Sequence, residues 1–188
     1  MRIIAFIILF FITALSQTTF RLGKYYVVGH NLVKNYSFEN YTANSPSDNF
    51  DYWVLTSNGG TVHADTNATD GTVNIKIVTS GNAAFLYQNI SVKPNTLYVA
   101  GVDGKVSSGS GGFRVYDNTN SSIIYNLWSE LNTTEYNTYN VIFKTKPNTT
   151  SIYIRIGYWG SDSNIEYYDH VFLYELRDNY FQSRYLQY

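Results

Sequence analysis

The chain has 188 residues, 44% of them hydrophobic and 14% charged, with no cysteine and a formal net charge of −1. That length suits one domain with a full core and is short for two. The near balance of charge gives no electrostatic footing for nucleic acid or an anionic membrane, and the lack of thiols removes disulfide scaffolds, thiolate zinc sites and cysteine chemistry.

Met1-Arg2 and the apolar run from Ile3 to Leu15 have the charge, length and flank of a secretory signal peptide, with Ala14 and Ser16 as the small residues before a cut after residue 16. The run is well short of the roughly 20 apolar residues that cross a bilayer as a helix. The expectation is a secreted, extracellular or cell-surface protein with no membrane span in the mature chain. Residues 17–30 then form a strand-like extension ending in Tyr25-Val28 and Gly29-His30.

Beyond it, short β-branched and aromatic runs alternate with polar clusters, and no amphipathic helical period follows the signal. The runs are Tyr25-Val28, Val73-Thr79, Ala84-Val92, Thr96-Val106, Gly112-Asp117, Ser122-Leu127, Thr138-Thr145, Ser151-Trp159 and Glu166-Glu175. About nine strands predict an all-β, two-sheet β-sandwich. Asp117-Asn120, Lys93-Asn95 and Lys146-Asn148 read as turns, and Ser107-Gly112 as a flexible Gly/Ser loop that lacks the Gly-Lys-Ser/Thr ending of a phosphate loop.

Alternation assigns faces. Ile152, Ile154 and Ile156 share one side of their strand and are expected in the core, while Tyr153, Arg155 and the backbone of Gly157 share the other. Val141 and Phe143 are the inward residues of Thr138-Thr145. Tyr98, Ala100 and Val102 alternate with Leu97, Val99 and Gly101, so that strand is apolar on both faces. Seven Asn-X-Ser/Thr acceptors, Asn35, Asn40, Asn67, Asn89, Asn120, Asn132 and Asn148, fall largely in polar clusters and mark the chain as an expected N-glycoprotein.

The segment Asn31-Leu-Val-Lys-Asn-Tyr-Ser-Phe-Glu-Asn40 resembles the opening of carbohydrate-binding modules of the four, nine and twenty-two families. The likeness continues in order through Trp53, Asn74-Thr79, Ala84-Tyr98 and the closing Glu166-Leu173, and spans about residues 31–176. The resemblance implies a galactose-binding-like β-jelly roll, with Trp53 packed inside, and much less about activity. It also implies one structural Ca2+ held by Glu39 and Asp169, joining the first and last strands, although His170 stands where a second carboxylate or an amide is usual. A solvated rim is the competing use of those two acids.

Sugar-binding modules set aromatic rings against pyranose faces and read hydroxyls with polar side chains. Trp128 and Trp159, at strand ends beside polar residues, are the candidate platforms, with Tyr153, Arg155, Tyr116 and Arg114 on the non-core rows. Ordinary aromatic packing or a protein interface is the alternative for each. Histidines at 30, 63 and 170 show no metal-site spacing, and no Gly-x-Ser-x-Gly motif occurs, so catalysis is not expected.

The aromatic C-terminal extension, 177–188, carries Tyr180, Phe181, Tyr185, Leu186 and Tyr188. Apolar ends dock on something, either their own domain or a neighbouring copy, and the segment 20–28 is a candidate for the same contact. The expected function is therefore a secreted, non-catalytic glycan-binding or cell-surface matrix glycoprotein. The alternative is a structural subunit of an extracellular fibre or coat, a homopolymer joined through its terminal segments.

Overall fold

A computed structural model describes residues 25–158 and 163–178. Signal-peptide residues 1–16, Trp159 and all five candidate assembly residues, Tyr180, Phe181, Tyr185, Leu186 and Tyr188, lie outside the described residues.

The described chain is all β, with thirteen strands where about nine were expected. They are β1 (Tyr25–Val28), β2 (Tyr41–Thr42), β3 (Asn49–Phe50), β4 (Val54–Ser57), β5 (Thr61–Asp65), β6 (Asn74–Val78), β7 (Ala84–Ser91), β8 (Leu97–Ser108), β9 (Gly111–Asp117), β10 (Ser122–Leu131), β11 (Asn137–Lys144), β12 (Ser151–Ile156) and β13 (Ile165–Asp178). One sheet runs β11-β8-β13-β6-β5, with β1 added against β13, and the other runs β10-β9-β12-β7-β4. β2 and β3 form a separate pair. Every pairing is antiparallel. Among the described residues no helix is long and apolar enough to cross a membrane.

Period-two side chains fill the space between the sheets. Ile152, Ile154 and Ile156 of β12 are fully buried against Ile75 and Ile77 of β6, Ala100 and Val102 of β8, and Leu173 of β13, all in one core. Phe143 is buried in the same core and Val141 packs on it half-buried. Leu97 and Val99, on the other face of β8, join Phe172, Leu176 and Tyr174 of β13 and Tyr25 and Val27 of β1 in a second cluster. The two-sided apolar pattern of that strand thus reflects two packed layers.

Residues 31–40 are stitched to both sheets. Asn31 donates through Nδ2 to the Val171 carbonyl (3.0 Å) and accepts from Leu173 N–H (2.9 Å), while Gln88 of β7 both accepts from and donates to the Lys34 backbone. Phe38 and Trp53 meet with ring centres 5.3 Å apart and close one end of the core, and Trp53 Nε1–H donates to the Asn35 carbonyl.

One expectation changes. Residues 107–112 are mostly strand: β8 runs to Ser108 and β9 begins at Gly111, joined by a tight turn in which Gly109 has φ +74°. A Cβ there would meet Asn164 Oδ1 at 1.8 Å, so the glycine allows a close approach and is not a sign of flexibility. Residues 25–28, part of the segment 20–28 that was expected to dock on its own domain or on a neighbouring copy, pair with 178–175 of the same chain. The described strands run from Tyr25 to Asp178.

Candidate functional site

The five-stranded sheet turns its isoleucine side to the core and its polar-aromatic side outward. Cross-strand register sets adjacent rows on that outer face: Tyr87, Arg155 and Arg114 align across β7, β12 and β9, followed by Asn126 of β10, and Tyr153 aligns with Asn89 and Tyr116. The next row passes over Gly157 and Gly112, whose backbones are joined by a 2.9 Å hydrogen bond, with Phe85 and Thr56 paired beside them. Both glycines are buried, and a Cβ at Gly112 would meet the Gly157 carbonyl at 2.7 Å, so glycine allows the two backbones to approach.

The result is a groove of about 520 Å3 lined by Thr56, Phe85, Tyr87, Arg114, Trp128, Tyr153 and Arg155. Sites for small ligands usually fall in the range of about 300–1,000 Å3. Tyr116 does not line the groove but supports it, stacked on Tyr153 at 4.9 Å between ring centres and 15° between planes. The structure therefore brings together Trp128, Tyr153, Arg155 and Tyr116, with Arg114. Trp159 lies outside the described residues.

Trp128 is half-buried, with Tyr158 at 5.2 Å on one side and the guanidinium carbons of Arg114 and Arg155 each 5.2 Å from its ring. Arg155 also lies 4.9 Å from the Phe85 ring. These contacts are cation–π interactions, which grow stronger as water is excluded. Arg155 is only 6% exposed, and its buried Nε has no hydrogen-bond partner. Burial, followed by repulsion from Arg114, pushes its pKa down to about 10, so it is still charged at neutral pH. Arg114 is anchored by a 2.6 Å hydrogen bond from Nε to Asn126 Oδ1.

Beneath the glycine row lies a buried acid. Glu166 of β13 is fully buried and contacts the Tyr168 hydroxyl, which in turn accepts from Gly112 N–H (2.7 Å) and lies 3.1 Å from the Gly112 carbonyl. Burial raises the Glu166 pKa to about 8. The Tyr168 hydroxyl is placed to donate to Glu166 Oε2 or to the Gly112 carbonyl.

Glu39 and Asp169 grip two ends of the same loop. Glu39 accepts from Thr72 N–H (2.7 Å), Val73 N–H (2.8 Å) and the Thr72 hydroxyl (2.7 Å). Asp169 Oδ2 accepts from Thr69 N–H (2.6 Å), Asp70 N–H (2.8 Å) and the Thr69 hydroxyl (3.1 Å), and its Oδ1 from His170 N–H. Glu39 Oε2 and Asp169 Oδ1 each have a single donor, so each keeps a lone pair. Among the described residues no group of three or more His, Asp or Glu is placed to hold a metal ion.

Phe85, Tyr87 and Thr56 were not anticipated as site residues. Alternation groups Phe85 with Tyr87 and sets them against Ala84, Leu86 and Gln88, which the structure buries on the core side. Thr56 sits on a four-residue strand in a polar stretch with no clear period.

No family model matches the chain, and no curated protein matches it. Solved structures do. A family 61 carbohydrate-binding module in complex with β-1,4-galactotriose is similar with a TM-score of 0.58 and 17% identity, over 78% of this chain and 99% of that one. A family 16 carbohydrate-binding module is similar at 0.59 and 23%, over 76% and 99%. The family 22 xylan-binding domain of Paenibacillus barcinonensis Xyn10C follows at 0.54 and 13%, over 79% and 96%. Family 4 is also among the matches, so two of the three families named from the sequence recur in the fold. At these identities the likeness shows the fold.

Proposed function

We propose that the chain is a secreted, non-catalytic glycan-binding module that holds an oligosaccharide in the groove on its five-stranded sheet. The observation that carries this reading is the groove itself, in which Trp128, Tyr153, Tyr87 and Phe85 converge with two arginines and a threonine. Pyranose rings offer apolar C–H faces to aromatic rings while their hydroxyls need polar partners, and this lining supplies both. Similarity to modules described as bound to galactotriose and as xylan-binding supports the same class of ligand.

Secretion would also expose the acceptor asparagines to glycosylation. Asn40, Asn67, Asn89, Asn132 and Asn148 are exposed, whereas Asn35 and Asn120 are half-buried and each donates two hydrogen bonds through Nδ2. The exposed five are the favoured acceptors, because a sugar on Asn35 or Asn120 would remove a donor the fold uses.

Isothermal titration with galactan, xylan and other oligosaccharides tests the reading. Trp128→Ala is expected to cost about 2 kcal/mol, roughly a thirty-fold loss of affinity, with an unchanged circular dichroism spectrum. Failure of the wild-type protein to bind any glycan overturns it.

A further inference from the structure

Resting on that glycan reading, we propose that the groove is selective for anionic glycans, whose carboxylate or sulfate groups sit between Arg114 and Arg155. None of the seven lining residues is acidic, and two are arginines. The two are direct cross-strand partners on neighbouring strands, a placement in which like charges repel. Neither forms an ion pair among the described residues.

The arginines can donate to the hydroxyls of a neutral sugar, but such a ligand leaves their two charges uncompensated. Burying an unpaired charge is costly, and Arg155 is buried to within 6% of full cover with its Nε unpartnered. The rings of Phe85 and Trp128 offset part of that cost, and Asn126 orients Arg114. Glu166 forms no ion pair with either arginine, and burial raises its pKa, which disfavours its charged form. An anion bound from solvent completes the set: guanidinium groups donate paired, charge-assisted hydrogen bonds to carboxylate or sulfate oxygens, and the adjacent rings hold the sugar that carries them.

The test is an array in which uronate-containing and sulfated oligosaccharides stand beside their carboxyl-reduced or desulfated forms, followed by titration of the best pair. The expected result is at least a ten-fold preference for the charged member, shrinking as sodium chloride rises from 50 to 500 mM. Whether carboxyl reduction or desulfation abolishes binding identifies the anion. Arg114→Gln is expected to collapse the preference to about three-fold or less, and Arg114→Lys to retain more of it.

Equal affinity for charged and neutral members overturns the proposal. If that binding still falls with Trp128→Ala, the glycan reading stands without it. No binding to any member overturns both.

Discussion

Glu166 is the residue whose chemistry departs furthest from its appearance. It is fully buried, and burial raises its pKa from an ordinary 4.5 to about 8. A carboxyl that binds its proton more tightly when folded stabilises the fold fully below its unfolded pKa and loses that contribution as pH rises toward the folded value. The melting temperature should therefore fall between about pH 5 and pH 8, at about 2–4 °C per kcal/mol lost. Glu166→Gln, which is neutral at every pH, should flatten that stretch of the profile in a differential scanning series. An equally steep profile in the variant would assign the slope elsewhere. In sequence, Glu166 is one more acid on a closing strand, because burial by the facing sheet is a tertiary fact. Tyr153 and Arg155 were legible, since strict alternation around three isoleucines leaves them only the other face. Phe85 and Tyr87 obey the same rule, but in a strand apolar on both faces the rule does not say which row lies outside.

At the scale of elements, the loop 69–73 is held by Asp169 of β13 at one end and by Glu39 at the other. We propose a Ca2+ at these acids as an addition to the hydrogen bonds. Calcium at one hundred times its dissociation constant would add about 2.7 kcal/mol of stability, read as a rise in melting temperature that chelator reverses. A melting temperature indifferent to both leaves the hydrogen bonds as the whole of the brace. The longer strands were legible because a period of two needs several residues to declare itself. β2 and β3 have two residues each and β4 has four, in a stretch rich in Asn, Ser, Asp and Gly, so no period could emerge. β2 and β3 are strands because they pair with each other, and β4 because β7 offers it a partner, and composition does not reveal partners.

At the scale of the whole molecule, the groove lies on one sheet, while β1 and the end of β13 lie on the other. Self-assembly through the segment beyond Asp178 is a proposal separable from glycan binding. A chain stopped after Asp178 keeps every described strand and should sediment as a monomer with an unchanged melting temperature, while the full chain forms larger species. Identical sedimentation of the two would remove the fibre reading. The pairing of Tyr25 with Asp178 has a mechanical consequence as well. β1 and β13 are antiparallel, so the chain enters and leaves the sandwich at the same end of that ladder. Tension applied through the two ends would load its hydrogen bonds one after another, like a zip, and not together in shear. Under load β1, only four residues long, would peel away first. The groove on the opposite sheet would keep its shape while the tether lengthened.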